Sequence, residues 1–257
     1  MRVSCCAYSY RQYLTSGEMS LFEFLETARQ IGCAGVELTS YYFPSTDRAY
    51  LNEVKRAVHN AGLSVSGTAI GTDFAQTDEE KRRSHIEMAR NWIDNSVILG
   101  APTMRVFAGG VREGDTEGQA FERVVECLKE CAGYAAERGV SLALENHGGI
   151  TATAEQTLKL CRAVDNEWLG LNLDFGNFSG EDIYSQFEAC APYAVATHAK
   201  SHYNGPIGKD VVDYSQVKFI MEAAGYRGFI AIEYEEAEDP KTAVPRFAKE
   251  LCEIFHK

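Results

Sequence analysis

The chain has 257 residues, 45% of them hydrophobic and 24% charged, with a formal net charge of -12. That length can bury one large core or two small ones. The acidic balance supplies no basic footprint for following phosphates, so the expected partner is a small molecule and not nucleic acid. No apolar run approaches the ~20 residues of a membrane span, and Met1-Arg2-Val3-Ser4-Cys5-Cys6 lacks the apolar stretch of a signal peptide, so a cytoplasmic protein without membrane association is expected. The eight cysteines, at positions 5, 6, 33, 127, 131, 161, 190 and 252, sit mostly in apolar stretches with no Cys-x-x-Cys pair. They read as reduced, mostly buried thiols, and not as disulfides or a structural zinc site.

In chain order, eight β-rich runs alternate with helical patterns. The predicted strands are Val3–Ser9, Gly35–Thr39, Ser64–Ala69, Thr103–Ala108, Ser141–Glu145, Gly170–Asp174, Ala194–Lys200 and Phe229–Glu233. The helical patterns run near 20–31, 47–61, 78–99, 117–138, 153–164, 181–190, 213–224 and 240–256. Gly32, Gly62, Gly139 and Gly225 stand where a helix ends and the next strand begins, as left-handed helix caps do. Strictly alternating strands and helices imply parallel strands with helical crossovers. Eight such units fill residues 1–257 as one domain with no linker, so the economical fold is α/β, a single (β/α)8 TIM barrel. A doubly wound open sheet is the alternative. It lacks the glycine-rich dinucleotide signature, because Ala7-Tyr8-Ser9-Tyr10-Arg11 follows the first strand.

In such a barrel the chemistry gathers at the carboxyl ends of the strands. In Ser141-Leu142-Ala143-Leu144-Glu145 the leucines share one face, so Glu145 turns inward on the other. The same period of two delivers Asp174 after Gly170-Leu171-Asn172-Leu173, His198 after Ala194-Val195-Ala196-Thr197, and Glu233 after Phe229-Ile230-Ala231-Ile232. Three carboxylates grouped without a cation would be costly through repulsion and desolvation. One divalent metal ion held by Glu145, Asp174, His198 and Glu233 removes most of that cost. Three oxygen donors and one nitrogen fit Mn²⁺ foremost, with Mg²⁺ or Co²⁺ as alternatives, and open positions accept substrate oxygens. Each residue has an ordinary alternative: Glu145 could pair with Arg105, Asp174 could cap the turn Phe175-Gly176-Asn177, His198 could be a satisfied interior histidine, and Glu233 could open a solvated acidic run. The shared parity and order carry the reading.

Leu144-Glu145-Asn146-His147, Leu173-Asp174-Phe175-Gly176-Asn177, Thr197-His198-Ala199-Lys200 and Ile232-Glu233-Tyr234-Glu235 together resemble the sugar-phosphate isomerase/epimerase superfamily of xylose-isomerase-like TIM barrels. Glu238-Asp239-Pro240 with Val244-Pro245-Arg246 resembles one branch whose members largely lack assigned substrates. The resemblance implies one divalent ion on the same four residues, with Glu145 and Glu233 doubling as the acid/base pair. Two positions depart from the ketose epimerases: Asn177 stands where they usually carry a substrate-binding histidine, and Lys200-Ser201-His202-Tyr203-Asn204 replaces an arginine-containing segment.

The chemistry expected is isomerisation or epimerisation of a small keto-sugar, polyol-derived ketone or sugar phosphate through an enediolate. The alternatives are a metal-dependent lyase or dehydratase acting on an inosose, keto-glycoside or related ketone, and a noncatalytic sugar-binding or assembly barrel. Substrate contacts are expected from Arg105, His147 and Lys200, which share the inward parity, from Glu37 at the end of the second strand, and from Asn177 and His202. Tyr8, Tyr10, Tyr41, Tyr42, Phe43 and Phe107 fall in mouth loops, where they could wall a sugar pocket or contact another subunit of a homo-oligomer. Ala108-Gly109-Gly110 is weak evidence for an anion cradle, which favours an unphosphorylated substrate.

Overall fold

Alternation of short apolar strands with amphipathic helices produces a closed barrel. The computed structural model describes residues 1–255. Its strands are β1 (Arg2–Cys6), β2 (Gly35–Thr39), β3 (Ser64–Ala69), β4 (Thr103–Val106), β5 (Ser141–Glu145), β6 (Leu169–Asp174), β7 (Ala194–Ala199), β8 (His202–Gly205), β9 (Gly208–Val211) and β10 (Phe229–Ile232). The eight staves run β1-β10-β7-β6-β5-β4-β3-β2, all parallel, which makes the fold a single (β/α)8 TIM barrel. The helices are α1 (Arg11–Ser16), α2 (Leu21–Gln30), α3 (Arg48–Asn60), α4 (Glu79–Leu99), α5 (Glu117–Arg138), α6 (Ala154–Val164), α7 (Ile183–Cys190), α8 (Tyr214–Ala223) and α9 (Pro240–Phe255). Among the described residues no helix is long and apolar enough to cross a membrane.

Sequence dictates both faces of each stave. Val3, Cys5, Val36, Leu38, Met104, Val106, Leu142, Leu144, Leu171, Leu173, Ile230 and Ile232 are buried in the main core. Their alternates line the barrel interior. Helix starts are set by side-chain caps, including capping boxes at Ser20/Glu23 and Thr116/Gln119. Gly32, Gly62, Gly139 and Gly225 all adopt positive φ, as their places before strands predict. All eight cysteines are free, seven of them buried.

Three features depart from the expected elements. The first stave ends at Cys6, and Ala7–Tyr10 turns into a 3-10 helix followed by α1. Tyr10 consequently leaves the mouth and packs in the core, its ring 6.0 Å from Phe24. An antiparallel hairpin, β8–β9, fills the connection after β7, its tip formed by Gly205-Pro206-Ile207-Gly208. The register of β2 against β3 shifts between Val36 and Glu37, which sets Glu37 beside Gly67. A Cβ at Gly67 would meet Thr103 Oγ1 at 2.7 Å, so a larger residue there would force Thr103 to shift.

Candidate metal centre and mouth cavity

Glu145 ends β5, Asp174 ends β6, His198 is the penultimate residue of β7, and Glu233 follows β10 directly. The ladders place Asp174 opposite His198 and Glu145 opposite Asn172, so the four inward side chains occupy adjacent positions around one rim. One ligand atom from each of Glu145, Asp174, His198 and Glu233 falls within 4.8 Å of all the others. His198 Nδ1 lies 3.2 Å from Glu233 Oε2, 3.3 Å from Glu145 Oε2 and 3.8 Å from Asp174 Oδ2. These separations match polyhedron edges around a cation with bonds of roughly 2.1 Å.

The chemistry of the donors fits the same conclusion. His198 Nδ1 and Asp174 Oδ2 are buried and make no hydrogen bond among the described residues, Oδ2 having the Lys200 ammonium at 3.4 Å as an ion pair. Leaving such an atom unsatisfied costs about 1–3 kcal/mol, and ligation of a common cation would relieve both. The other atoms of these side chains are fixed. Gly176 N–H donates to Asp174 Oδ1 at 2.7 Å, leaving Oδ2 toward the cluster. An added Cβ at Gly176 would meet Lys200 Cβ at 2.7 Å, so glycine is needed for that turn to approach β7. Glu145 accepts from Asn172 Nδ2 at 2.9 Å and Asn177 Nδ2 at 3.2 Å, with Arg105 Nε at 3.3 Å. The cluster can therefore coordinate a divalent metal ion.

Each charge in the cluster lies close enough to shift the others. Burial pushes the Asp174 carboxyl up to about 7, against the pull of Lys200, while Glu145 and Glu233 add repulsion. Burial also disfavours ionised Glu145, but His198 and Arg105 outweigh it and hold that carboxyl below its ordinary range. Glu233, equally buried, is held well below that range by His198 and Lys200. Burial would lower His198, yet Glu233, Glu37 and Glu145 together hold the imidazole well above its usual value. Cys6 Sγ lies 3.8 Å from Glu233 Oε1, but burial and the Glu37 carboxylate push its thiol up to about 12, so it remains a neutral neighbour.

The remaining expected site residues separate into groups. Arg105 and His147 line a cavity of about 140 Å³ with Tyr8, Tyr41, Phe107, Glu145, Glu233 and Glu235. The Arg105 guanidinium lies 3.9 Å over the Phe107 ring, whose other neighbour is the His147 ring at 4.2 Å. Glu37 is placed elsewhere: it is buried, and its Oε1 meets His198 Nε2 at 2.9 Å, on the side of the ring away from the carboxylate cluster. Lys200 turns onto the acids, at 3.1 Å from Glu233 and 3.4 Å from Asp174, and is also bonded to Glu235. Asn177 contacts Glu145, and His202 lies in a different cavity with Val211, Tyr234, Glu236 and Phe247.

Sequence reasoning missed three participants. Asn146 clamps the ends of β5 and β6 together, accepting from Asp174 N at 2.8 Å and donating to Asp174 O at 2.9 Å. Asn172 supports Glu145, and Glu235 borders the mouth cavity while bonding Lys200. Asn172 and Glu235 carried a readable signal, each lying two residues from a ligand with the same parity. Asn146 points the other way and carried none.

Comparison with known proteins agrees with this architecture. Residues 25–251 match the family described as xylose isomerase-like TIM barrel. A comparison with curated proteins finds no match. Among solved structures, the chain is similar to a D-psicose 3-epimerase from Clostridium cellulolyticum H10, at 18% identity and TM-score 0.77, covering 100% of this chain and 92% of the other. It is also similar to a probable 3-DHS dehydratase from Bacillus anthracis, at 19% identity and TM-score 0.77 over 98% of both chains. A 3-keto-D-glucoside 4-epimerase from E. coli aligns over 100% of both chains at 15% identity and TM-score 0.75. Identities this low establish the shared fold and leave the reaction open.

Proposed function

The chain belongs to the xylose isomerase-like TIM-barrel family, and on that premise we propose that it is a divalent-metal-dependent isomerase or epimerase of a small polyhydroxylated ketone, working through an enediolate. The observation that carries this reading is which cluster members face the mouth. Glu145 and Glu233 border the cavity, whereas Asp174 and His198 do not and lie behind them. Two carboxylates of a four-residue set are thus reachable by substrate, and these two are the proposed acid/base pair.

Glu145, Asp174, His198 and Glu233 would hold the cation, with Mn²⁺ foremost and Mg²⁺ or Co²⁺ as alternatives. When bound, it supplies a positive charge that polarises a substrate carbonyl and stabilises negative charge left by a departing α-proton. One of the two glutamates takes that proton and the other returns one from the opposite face, inverting the carbon. Return on the same face at the adjacent carbon gives aldose–ketose exchange. Arg105 borders the cavity, where its guanidinium would donate to a substrate oxygen, and His147 can orient a further hydroxyl. Glu37, bonded to the far nitrogen of His198, positions that ring instead of touching substrate.

An unphosphorylated substrate is favoured. The glycine turn after β4 is occupied by acid: a Cβ at Gly109 would collide with the Asp73 carboxylate, itself paired with Arg112. That carboxylate fills the space in which the glycine backbone would have to receive a phosphate.

The test incubates Mn²⁺- or Mg²⁺-loaded protein with aldoses, ketoses, inososes and keto-glycosides in deuterated water, chelates the metal, and reads the products by NMR. Solvent deuterium at an α-carbon, lost in Glu145→Gln and Glu233→Gln at matched metal occupancy, is the expected result. Full turnover in either variant with metal retained removes that residue from the pair. New unsaturation with loss of water selects a dehydratase.

A further inference from the structure

The mouth cavity does not end at its own walls. Tyr8 and Tyr41 line it on one side and on the other line an open groove of about 940 Å³, completed by Arg11, Gln12, Leu14, Thr15, Ser16, Tyr42, Phe43 and Pro44. The groove is built by the first two strand-to-helix connections. After β1 the chain turns through Ala7–Tyr10 into α1, and after β2 it turns through Ser40–Tyr42, so each stave projects tyrosines at the rim. The two shared rings meet edge to face, with centroids 6.5 Å apart at 76°, and Tyr41 meets Tyr42 in the same way at 6.1 Å. The platform is held in place. The Arg11 guanidinium lies 5.0 Å over Tyr8 and donates to Tyr234 O at 2.8 Å, and Phe43 packs edge-on against Trp92 at 5.2 Å.

Two contrasts give this groove meaning. The inner cavity, at about 140 Å³, falls well below the roughly 300–1,000 Å³ of ordinary small-molecule sites, whereas cavity and open groove together reach the top of that range. Charge differs as well. In a chain of net charge -12, the groove lining contains no Asp or Glu and a single Arg, whereas the adjoining cavity has Glu145, Glu233 and Glu235. The half-exposed Tyr41 and the partly buried Tyr8 and Tyr42, beside Gln, Thr and Ser, match a neutral ring that has a flat apolar side and hydroxyls at its edge.

We propose that the groove is a subsite for a second, uncharged ring attached to the reacting one, so that the substrate is a glycoside-sized keto-sugar whose non-reacting ring rests on Tyr8, Tyr41 and Tyr42. This rests on the proposed metal-dependent reading of the inner cavity. It deepens that reading by naming the substrate class: the reacting ring enters past Arg105 to the two glutamates, and the bond to its neighbour crosses over the rim that Tyr8 and Tyr41 form between cavity and groove.

The test measures binding to the metal-loaded protein of one-ring methyl glycosides against matched phenyl glycosides and disaccharides, by calorimetry and saturation-transfer NMR. Two-ring ligands are expected to bind about tenfold more tightly than their methyl counterparts, and Tyr42→Ala, at a residue that lines the groove and not the inner cavity, is expected to remove most of that advantage without weakening the methyl series. A preference for phenyl over disaccharide identifies an aromatic aglycone, and the reverse identifies a second sugar. Both outcomes support the subsite. Equal or undetectable binding of one-ring and two-ring ligands overturns it, as does a concentration-dependent dimer that Tyr41→Arg dissociates, because a second copy would then fill the groove. Metal binding and deuterium exchange with single-ring ketoses are read separately, so failure of the subsite is distinguishable from failure of the metal-dependent chemistry.

Discussion

Glu37 offers a sensitive probe of the metal centre because it reaches the ion only through His198. Its Oε1 lies 2.9 Å from His198 Nε2, and both side chains are almost wholly buried, at 3% and 0% exposure. With Nε2–H donating to Glu37, Nδ1 is left as the nitrogen that faces Glu145, Asp174 and Glu233. A charge-assisted hydrogen bond of this kind fixes the tautomer and raises the basicity of the ligating nitrogen. Removing such a partner weakens metal affinity by roughly 10- to 100-fold, about 1.4–2.7 kcal/mol. Glu37→Gln keeps an acceptor of the same shape and loses the charge, so it should fall near the tenfold end. Glu37→Leu also leaves Nε2–H unpaired in the interior and should approach a hundredfold. Competition against a fluorescent chelator at fixed pH measures both, with circular dichroism confirming the fold. At saturating metal, KM should change little, since Glu37 does not line the cavity. Wild-type metal affinity in both variants would refute the reasoning.

Metal at a hundred times its dissociation constant should add about 2.7 kcal/mol of stability, a rise of roughly 5–10 °C in melting temperature, and Asp174→Asn should abolish most of that rise in a thermal-shift assay. Metal affinity should increase with pH: Asp174 is raised to about 7 and His198 is raised as well, so below neutrality protons compete with the cation, and ion uptake in weak buffer near pH 6 should release protons measurable with an indicator dye. Gly170→Ala should destabilise by about 1–3 kcal/mol in urea titration without altering metal affinity per folded molecule, because its Cβ would meet Val195 Cγ1 at 2.5 Å and Tyr193 O at 2.8 Å.

Most of the barrel was legible because its signals are local. A period of two in Leu142/Leu144, Leu171/Leu173 and Ile230/Ile232 separates helix-facing from inward positions, and that parity brought Glu145, Asp174, His198 and Glu233 to one rim. What escaped depends on contacts far apart in the chain or on turns without a periodic pattern. The partner of Glu37 is 161 residues away, and its position also depends on the register shift beside Val36. The apolar run after Cys6 suited a strand as well as it suited the 3-10 turn that buries Tyr10. His202 was expected among the substrate contacts, and the β8–β9 hairpin carries it to another cavity. Lys200 kept the expected parity, yet three nearby carboxylates claim its ammonium.

The most direct measurement is anomalous diffraction from crystals grown with Mn²⁺, collected on both sides of the metal absorption edge. The account predicts one strong peak at the barrel mouth, roughly 2.0–2.3 Å from His198 Nδ1 and from a carboxylate oxygen of each of Glu145, Asp174 and Glu233, with His198 Nε2 still bonded to Glu37. A peak coordinated elsewhere, or fully loaded crystals in which these four side chains do not share one ion, would contradict it.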